Sequence, residues 1–218
     1  MELEMITSIL IIIGIDIVLG GDNAIVIALA CRNLPEHQRN KAILAGTFLA
    51  IITRILLTIG AVFLLSIPFV TFIGGILLLY IAFQLIGDHK DSTVVKGSTT
   101  LMTAIKTIVI ADIIMGTDNV MAVAGASHGN LTLVAIGLAF SIPIIIWGSK
   151  IILFAMEKYP VIIYLGASIL CYTAGKMITA EPTIAFLLPD QVWQMFLPYL
   201  LICIIVGTAF FKRKVKIK

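Results

Sequence analysis

Charge is what this sequence has least of. Of 218 residues, fifteen are Lys or Arg and twelve are Asp or Glu, 12% in all, while 60% are hydrophobic. Soluble domains average about 25% charged and roughly half apolar residues, so charges this sparse cannot cover a soluble globule of this length. Apolar residues this dense also exclude disorder, since such a chain collapses. The formal net charge is only +3, and no basic stripe lies outside the C-terminal tail, so there is no electrostatic footprint for nucleic acid. Three cysteines, Cys31, Cys171 and Cys203, are too few and too scattered for a disulfide framework or a metal knuckle. No Gly-x-x-x-x-Gly-Lys-Ser/Thr loop is present, so ATP would have to come from a separate subunit. The start, Met1-Glu2-Leu3-Glu4, is acidic where a secretory leader is basic, and the apolar stretch behind it is too long for one; the expectation is a retained segment.

What is present is apolar sequence in long runs. A bilayer-crossing helix needs about 20 predominantly apolar residues. Seven such stretches can be read, at Met5–Cys31, Ala42–Ile67, Phe69–Gly87, Thr107–Ala126, Leu131–Ser149, Val161–Ala180 and Val192–Phe211. They are continuous rather than alternating, which argues against a β-barrel. Ser66-Ile67-Pro68 reads as a tight hairpin between the second and third. The expected fold is an all-α, polytopic membrane protein occupying 1–218 as one membrane domain. Thirteen of the fifteen Lys and Arg lie after spans one, three and five or in the tail 212–218, and the other two, Arg54 and Lys176, fall inside spans. By the positive-inside rule the tail is cytoplasmic and the N-terminus faces out.

The chain also repeats itself. Asp16-Ile17-Val18-Leu19-Gly20-Gly21-Asp22-Asn23-Ala24 aligns without gaps on Asp112-Ile113-Ile114-Met115-Gly116-Thr117-Asp118-Asn119-Val120, at a shift of 96 residues. In the third spans Pro68, Gly74, Tyr80 and Ala82 match Pro160, Gly166, Tyr172 and Ala174, with Gln84 opposite Lys176. Residues 5–90 and 104–182 are therefore read as two copies of a three-helix unit, followed by an extra seventh helix at 192–211. An odd number of crossings per copy turns the copies upside down relative to each other. Such inverted repeats, with a site near the midplane, are a secondary-transporter plan.

Four aspartates, Asp16, Asp22, Asp112 and Asp118, interrupt these apolar runs. Each costs about 2.5–3.5 kcal/mol at the centre of a membrane helix, and intramembrane ionisable groups are functional by default. The competing reading is interhelical glue, with Arg54 and Lys176 as partners. Two cations cannot neutralise four anions; the remainder, −2 if all are ionised in one region, complements one divalent cation. Asp16 and Asp22, six residues apart, point to different faces of a regular helix. A break at Gly20, Gly21 and Gly116 would turn both acids inward and free backbone carbonyls; close helix packing is the other use for such glycines. With Asn23 and Asn119 the donor set is all oxygen, which favours Mg, Ca or Mn over copper or thiolate-held zinc. His128 in the outer loop is read as an interfacial side chain. Thr53 and Thr58, flanking Arg54, either line the pathway or satisfy themselves on their own helix.

These motifs, Gly20-Gly21-Asp22-Asn23-Ala24 and Gly116-Thr117-Asp118-Asn119-Val120-Met121-Ala122-Val123-Ala124-Gly125, resemble the paired signatures of the TerC family, named for tellurium resistance and grouped with LysE-type exporters. The resemblance covers essentially the whole chain. It implies a seven-span protein of the bacterial inner membrane and, for many members, manganese efflux, with Asp16, Asp22, Asn23, Asp112, Asp118 and Asn119 as the metal site. Tellurite, an anion, is a poor guest for four carboxylates.

The expected function is export of a hard divalent cation, Mn²⁺ as bound substrate, with no permanent cofactor and no enzymatic activity. Protons are the natural counter-ion, because metal binding to a crowded acidic cluster displaces them. Two other readings stand beside it. An intramembrane aspartyl hydrolase needs a two-acid dyad, and the duplicated Asp-Asn motif with four acids argues against it. An accessory membrane protein supplying metal to exported proteins would need the same site. The expected partners are the lipid bilayer, the metal ion and a proton; oligomeric state is not legible.

Overall fold

The computed structural model describes residues 2–60, 67, 69–87, 100–127, 130–182, 184 and 191–216. Among the described residues the ordered elements are all helices, and we number them in chain order: α1 Glu2–Leu19, α2 Gly21–Cys31, α3 Glu36–Ile59, α4 Val70–Gly87, α5 Leu101–Ala126, α6 Leu131–Lys158, α7 Val161–Ala180 and α8 Gln191–Lys216. In apolar surroundings each backbone polar group must be paired within its own segment, which leaves helix as the form for runs like these. Among the described residues α3, α6 and α7 are long and apolar enough to cross a membrane. The pair α1–α2, bent by 48° at its break, makes a fourth if counted as one span. Shorter apolar stretches occupy Val70–Ile86 in α4 and Gln194–Thr208 in α8, while α5 carries Lys106, Asp112 and Asp118 along its 26 residues. The expected hairpin turn at Ser66 and Pro68, and His128, lie outside the described residues.

Two compact units result, and each draws on both halves of the chain. The first contains Met1–Pro68 with Ser98–Glu157, the second Phe69–Gly97 with Lys158–Lys218.

In the first unit α1, α2 and α3 all pack against α5. Its apolar core joins Ile12, Ile51, Val123, Leu133, Val134 and Leu138. Glycines set the closest approaches: a Cβ on Gly46 would meet Ile108 Cδ1 at 2.7 Å, and one on Gly137 would meet Ile12 Cγ2 at 2.5 Å. Outward-facing residues are large and apolar, Trp147 being 70% exposed and Phe154 67%. A surface of this kind suits lipid rather than water. Arg39 secures the α2–α3 connection, its Nε donating to Leu34 O at 2.9 Å and Nη2 to Arg32 O at 3.0 Å, while Nη1 pairs with Glu157 of α6.

In the second unit α4 and α8 pack on α7. The sites of tight contact are Gly75, where a Cβ would stand 2.8 Å from Ala174 O, and Gly175, where one would stand 2.6 Å from Pro198 Cα. Pro198 lies inside α8, and the missing side chain at Gly175 is what lets that helix come close. The Tyr172 and Tyr199 rings meet at 5.6 Å and 57°. The buried Glu181 accepts from Phe69 N at 3.2 Å and from the Thr71 hydroxyl, which places a carboxylate where the first turn of α4 has unpaired N–H groups. Phe69 itself has φ +64°, a left-handed conformation that a bulky residue holds only when its surroundings enforce it.

Candidate functional site

The first Asp-Asn motif straddles the break between α1 and α2. Gly20 N closes the last turn of α1 on Asp16 O at 2.8 Å, and Asn23 N opens α2 on Gly20 O at 3.0 Å. At Gly20 the backbone has φ −103° and ψ 9°. A Cβ there would stand 2.3 Å from Asp16 O, so only glycine fits this corner. Asp22 falls in the first turn of α2, where the N-terminal end of the helix dipole favours a negative charge. Its side chain is half-buried.

The second motif behaves differently, and the expectation of a break at Gly116 is corrected: α5 runs unbroken from Leu101 to Ala126. Local chemistry explains the difference. Where the first copy has a Gly20-Gly21 doublet, the second has Gly116-Thr117, and the Thr117 hydroxyl bonds back to Ile113 O at 2.9 Å within the helix. At Gly116 a Cβ would lie 3.8 Å from Arg54 Nε and 3.9 Å from Leu57 Cδ1, ordinary van der Waals contact, so this position beside the arginine does not require glycine.

Arg54 is the centre of the described site. It sits on α3, 2% exposed, and its two terminal nitrogens reach different aspartates: Nη1 donates to Asp16 Oδ1 on α1 and Nη2 to Asp112 Oδ1 on α5. These are the two acids that the repeat places in register. The Ser141 hydroxyl of α6 donates to the second oxygen of Asp16 and lies 2.8 Å from Leu138 O. The glue reading thus holds for Arg54 with Asp16 and Asp112. Together the three groups carry a net −1 when ionised.

Beside this bridge lies a cavity of about 10 Å³ within the first unit, close to the space one water molecule needs. Its polar lining comes from Asn23, Thr47, Arg54 and Asp112, its apolar walls from Val26, Ile27, Ala50, Ile51, Ile108 and Ile145. All four polar residues present buried atoms with no hydrogen-bond partner: Asn23 Oδ1 and Nδ2, Thr47 Oγ1, Arg54 Nε and Asp112 Oδ2. Unpartnered groups at this density are rare in native interiors, and three of the five atoms are oxygens.

Other candidates from the sequence fall elsewhere. Lys176 belongs to the second unit, is exposed, and has its ammonium 5.8 Å from the Tyr172 ring centroid. Asn119 is buried on α5, and the Asp118 side chain lies outside the described residues. Among the described residues no three His, Cys, Asp or Glu side chains group around a metal-sized point. Thr53 and Thr58 satisfy themselves on Ala50 O at 2.7 Å and Arg54 O at 2.8 Å. Ser141 and Thr47 escaped the sequence reading, because a hydroxyl in an apolar helix ordinarily bonds its own backbone and carries no distinguishing pattern.

Comparison with known proteins gives a consistent result. Residues 1–216 match the family described as integral membrane protein TerC. The membrane protein YjbE of Bacillus subtilis (strain 168) is 48% identical over 217 residues, 99% of this chain and 100% of its own length. YkoY of the same organism is 33% identical over 122 residues, 52% of this chain and 36% of YkoY. The inner membrane protein YoaE of Escherichia coli (strain K12) is 28% identical over 202 residues, 83% of this chain but 38% of YoaE. No solved structure matches.

Proposed function

The chain belongs to the TerC family of integral membrane proteins, and on that footing we propose that it is a secondary transporter exporting a hard divalent cation, Mn²⁺ before others. In this reading it sits in the bacterial inner membrane with seven spans, two inverted three-helix copies, the N-terminus outside and the basic tail in the cytoplasm. It uses no permanent cofactor. The observation that carries the proposal is the cavity where Asn23 Oδ1 and Asp112 Oδ2 are buried without partners next to the Asp16–Arg54–Asp112 bridge. Carboxylate and amide oxygens are the donors that hard cations such as Mn²⁺ prefer.

Arg54 gives the mechanism its switch. A guanidinium spread over two carboxylates makes two buried charges tolerable. A divalent ion arriving from the cytoplasm competes with it. Asp16 and Asp112 supply −2, which the ion neutralises once the arginine has turned away. Departure of the ion lets Arg54 return, so the empty carrier never exposes bare carboxylates to lipid. Binding requires both acids ionised, so protons compete with the ion for the site, and a proton is the proposed counter-ion. Asp22, Asp118 and Asn119 are proposed as further groups that handle the ion. A conformational change between the helices around the site then opens it outward.

An aspartyl hydrolase requires two carboxyls sharing one proton. The guanidinium between Asp16 and Asp112 supports a carrier over that enzyme. Supply of metal to exported proteins is compatible with the same site and the same direction of transport.

The test is flux. In proteoliposomes holding a Mn²⁺-quenched dye, the protein should admit Mn²⁺, and Asp16→Asn, Asp22→Asn, Asp112→Asn and Asp118→Asn should each abolish the signal while the proteins remain folded. Unimpaired flux in all four variants, or none in the wild type under any imposed proton gradient, overturns the proposal.

A further inference from the structure

Hydroxyls on the described helices follow a habit. Thr53, Thr58, Thr117, Ser149 and Ser168 each donate to a carbonyl three or four residues earlier on the same helix, at 2.7–2.9 Å. Thr47 breaks it. It lies on α3, 2% exposed, and its Oγ1 has no hydrogen-bond partner although Ile43 O stands one turn back. A helical threonine has two usable χ1 wells, one of which makes that back-bond. Thr47 occupies neither its own backbone nor water-exposed space; it lines the cavity that also holds the unpartnered Asn23 Oδ1 and Asp112 Oδ2. These three oxygens come from α3, α2 and α5. A buried hydroxyl without a partner calls for an explanation, and a bound water or ion is one.

We infer that Thr47 is a ligand of the transported cation, its Oγ1 completing with Asn23 Oδ1 and Asp112 Oδ2 an oxygen face on the cavity. The inference rests on the transporter reading above and assigns to α3 a binding role that neither Asp-Asn motif contains. Its chemistry is distinct from theirs. A neutral hydroxyl adds coordination without charge, and a carrier needs a site favourable enough to load yet weak enough to release. A cage of carboxylates alone would hold a divalent ion too tightly to let it leave. The cavity has room for about one water, which an arriving ion would displace.

The experiment compares wild type, Thr47→Val, Thr47→Ser and Asp112→Asn as full-length proteins in nanodiscs, titrated with MnCl₂ while the free hexaaqua Mn²⁺ signal is followed by electron paramagnetic resonance. Valine keeps the shape and removes the hydroxyl; serine keeps the hydroxyl. Thr47→Val should bind Mn²⁺ about tenfold more weakly, as loss of one oxygen ligand implies, and Thr47→Ser should restore binding to near wild type. The melting temperature of Thr47→Val should stay near the wild-type value, because Oγ1 bonds no other group of the protein. If Thr47→Val binds as wild type does while Asp112→Asn loses binding, the inference fails and the transporter reading stands. A Thr47→Ser variant as weak as Thr47→Val also overturns it, since packing rather than the hydroxyl is then at work. If the wild type binds no Mn²⁺, both fall together.

Discussion

Asp16 and Asp112 accept from opposite ends of one guanidinium, that of Arg54. The two acids hold equivalent places in the repeated motif, and the arginine that joins them belongs to neither copy of it. Opposite charges buried together can come close to balancing their desolvation, but removing one partner strands the others.

Arg54→Gln is therefore expected to destabilise the protein by about 3–5 kcal/mol, the range for breaking a buried ion pair. Thermal unfolding in detergent measures this. Because ligand binding to the folded state raises its stability, millimolar Mn²⁺ should raise the melting temperature of Arg54→Gln more than that of the wild type. An equal rise in both would mean that arginine and metal do not compete.

Ser141 holds the other oxygen of Asp16. Hydrogen bonds to charged groups contribute about 1.5–3 kcal/mol, so Ser141→Ala should lower stability by about that amount. Mn²⁺ flux should survive in part, since Asp16 keeps its carboxylate. Complete loss of flux in Ser141→Ala with normal stability would assign the serine a direct role on the ion.

The paired glycines should respond unequally to alanine. At Gly20 the new methyl meets Asp16 O at 2.3 Å, whereas at Gly116 its nearest neighbours are at 3.8 and 3.9 Å. Overpacking against fixed atoms costs about 1–3 kcal/mol, so Gly20→Ala should unfold at clearly lower temperature and Gly116→Ala near the wild-type value. Equal losses at both sites would contradict an unbroken α5.

In the second unit Gly75→Ala should also cost about 1–3 kcal/mol, because its methyl would lie 2.8 Å from the Ala174 carbonyl and 2.7 Å from Ile178 Cγ1. Gly14→Ala, with nothing within 4 Å, should be neutral or slightly stabilising through its better helix propensity. The pair of melting curves separates contact from propensity.

Much of the architecture was open to reading from composition. Long apolar runs leave the backbone no partner but itself, so helices at Ala42–Ile67 and Leu131–Ser149 were expected, and α3 and α6 cover most of those ranges. The ends moved because the polar turn Glu36–Lys41 starts α3 ahead of its apolar run, and because beyond Lys150 the apolar Ile151–Met156 continues α6 to Lys158. The symmetry of the two Asp-Asn motifs misled at one point. Equal spacing suggested equal breaks, but the helix with the glycine doublet is bent at its break while the one with the Gly-Thr pair is unbroken.

The order of residue types along this chain by itself determined that it is helical, that its helices face an apolar medium, and that Asp16 and Asp112 are costly enough to require partners; each follows from local composition and one-dimensional spacing. Only the tertiary structure decided that Arg54 serves both acids at once, that Ser141 secures one of them, and that Asn23, Thr47 and Asp112 share a cavity. Those facts depend on which faces of α1, α2, α3, α5 and α6 meet, and a helical face is chosen by packing against residues far away in the chain.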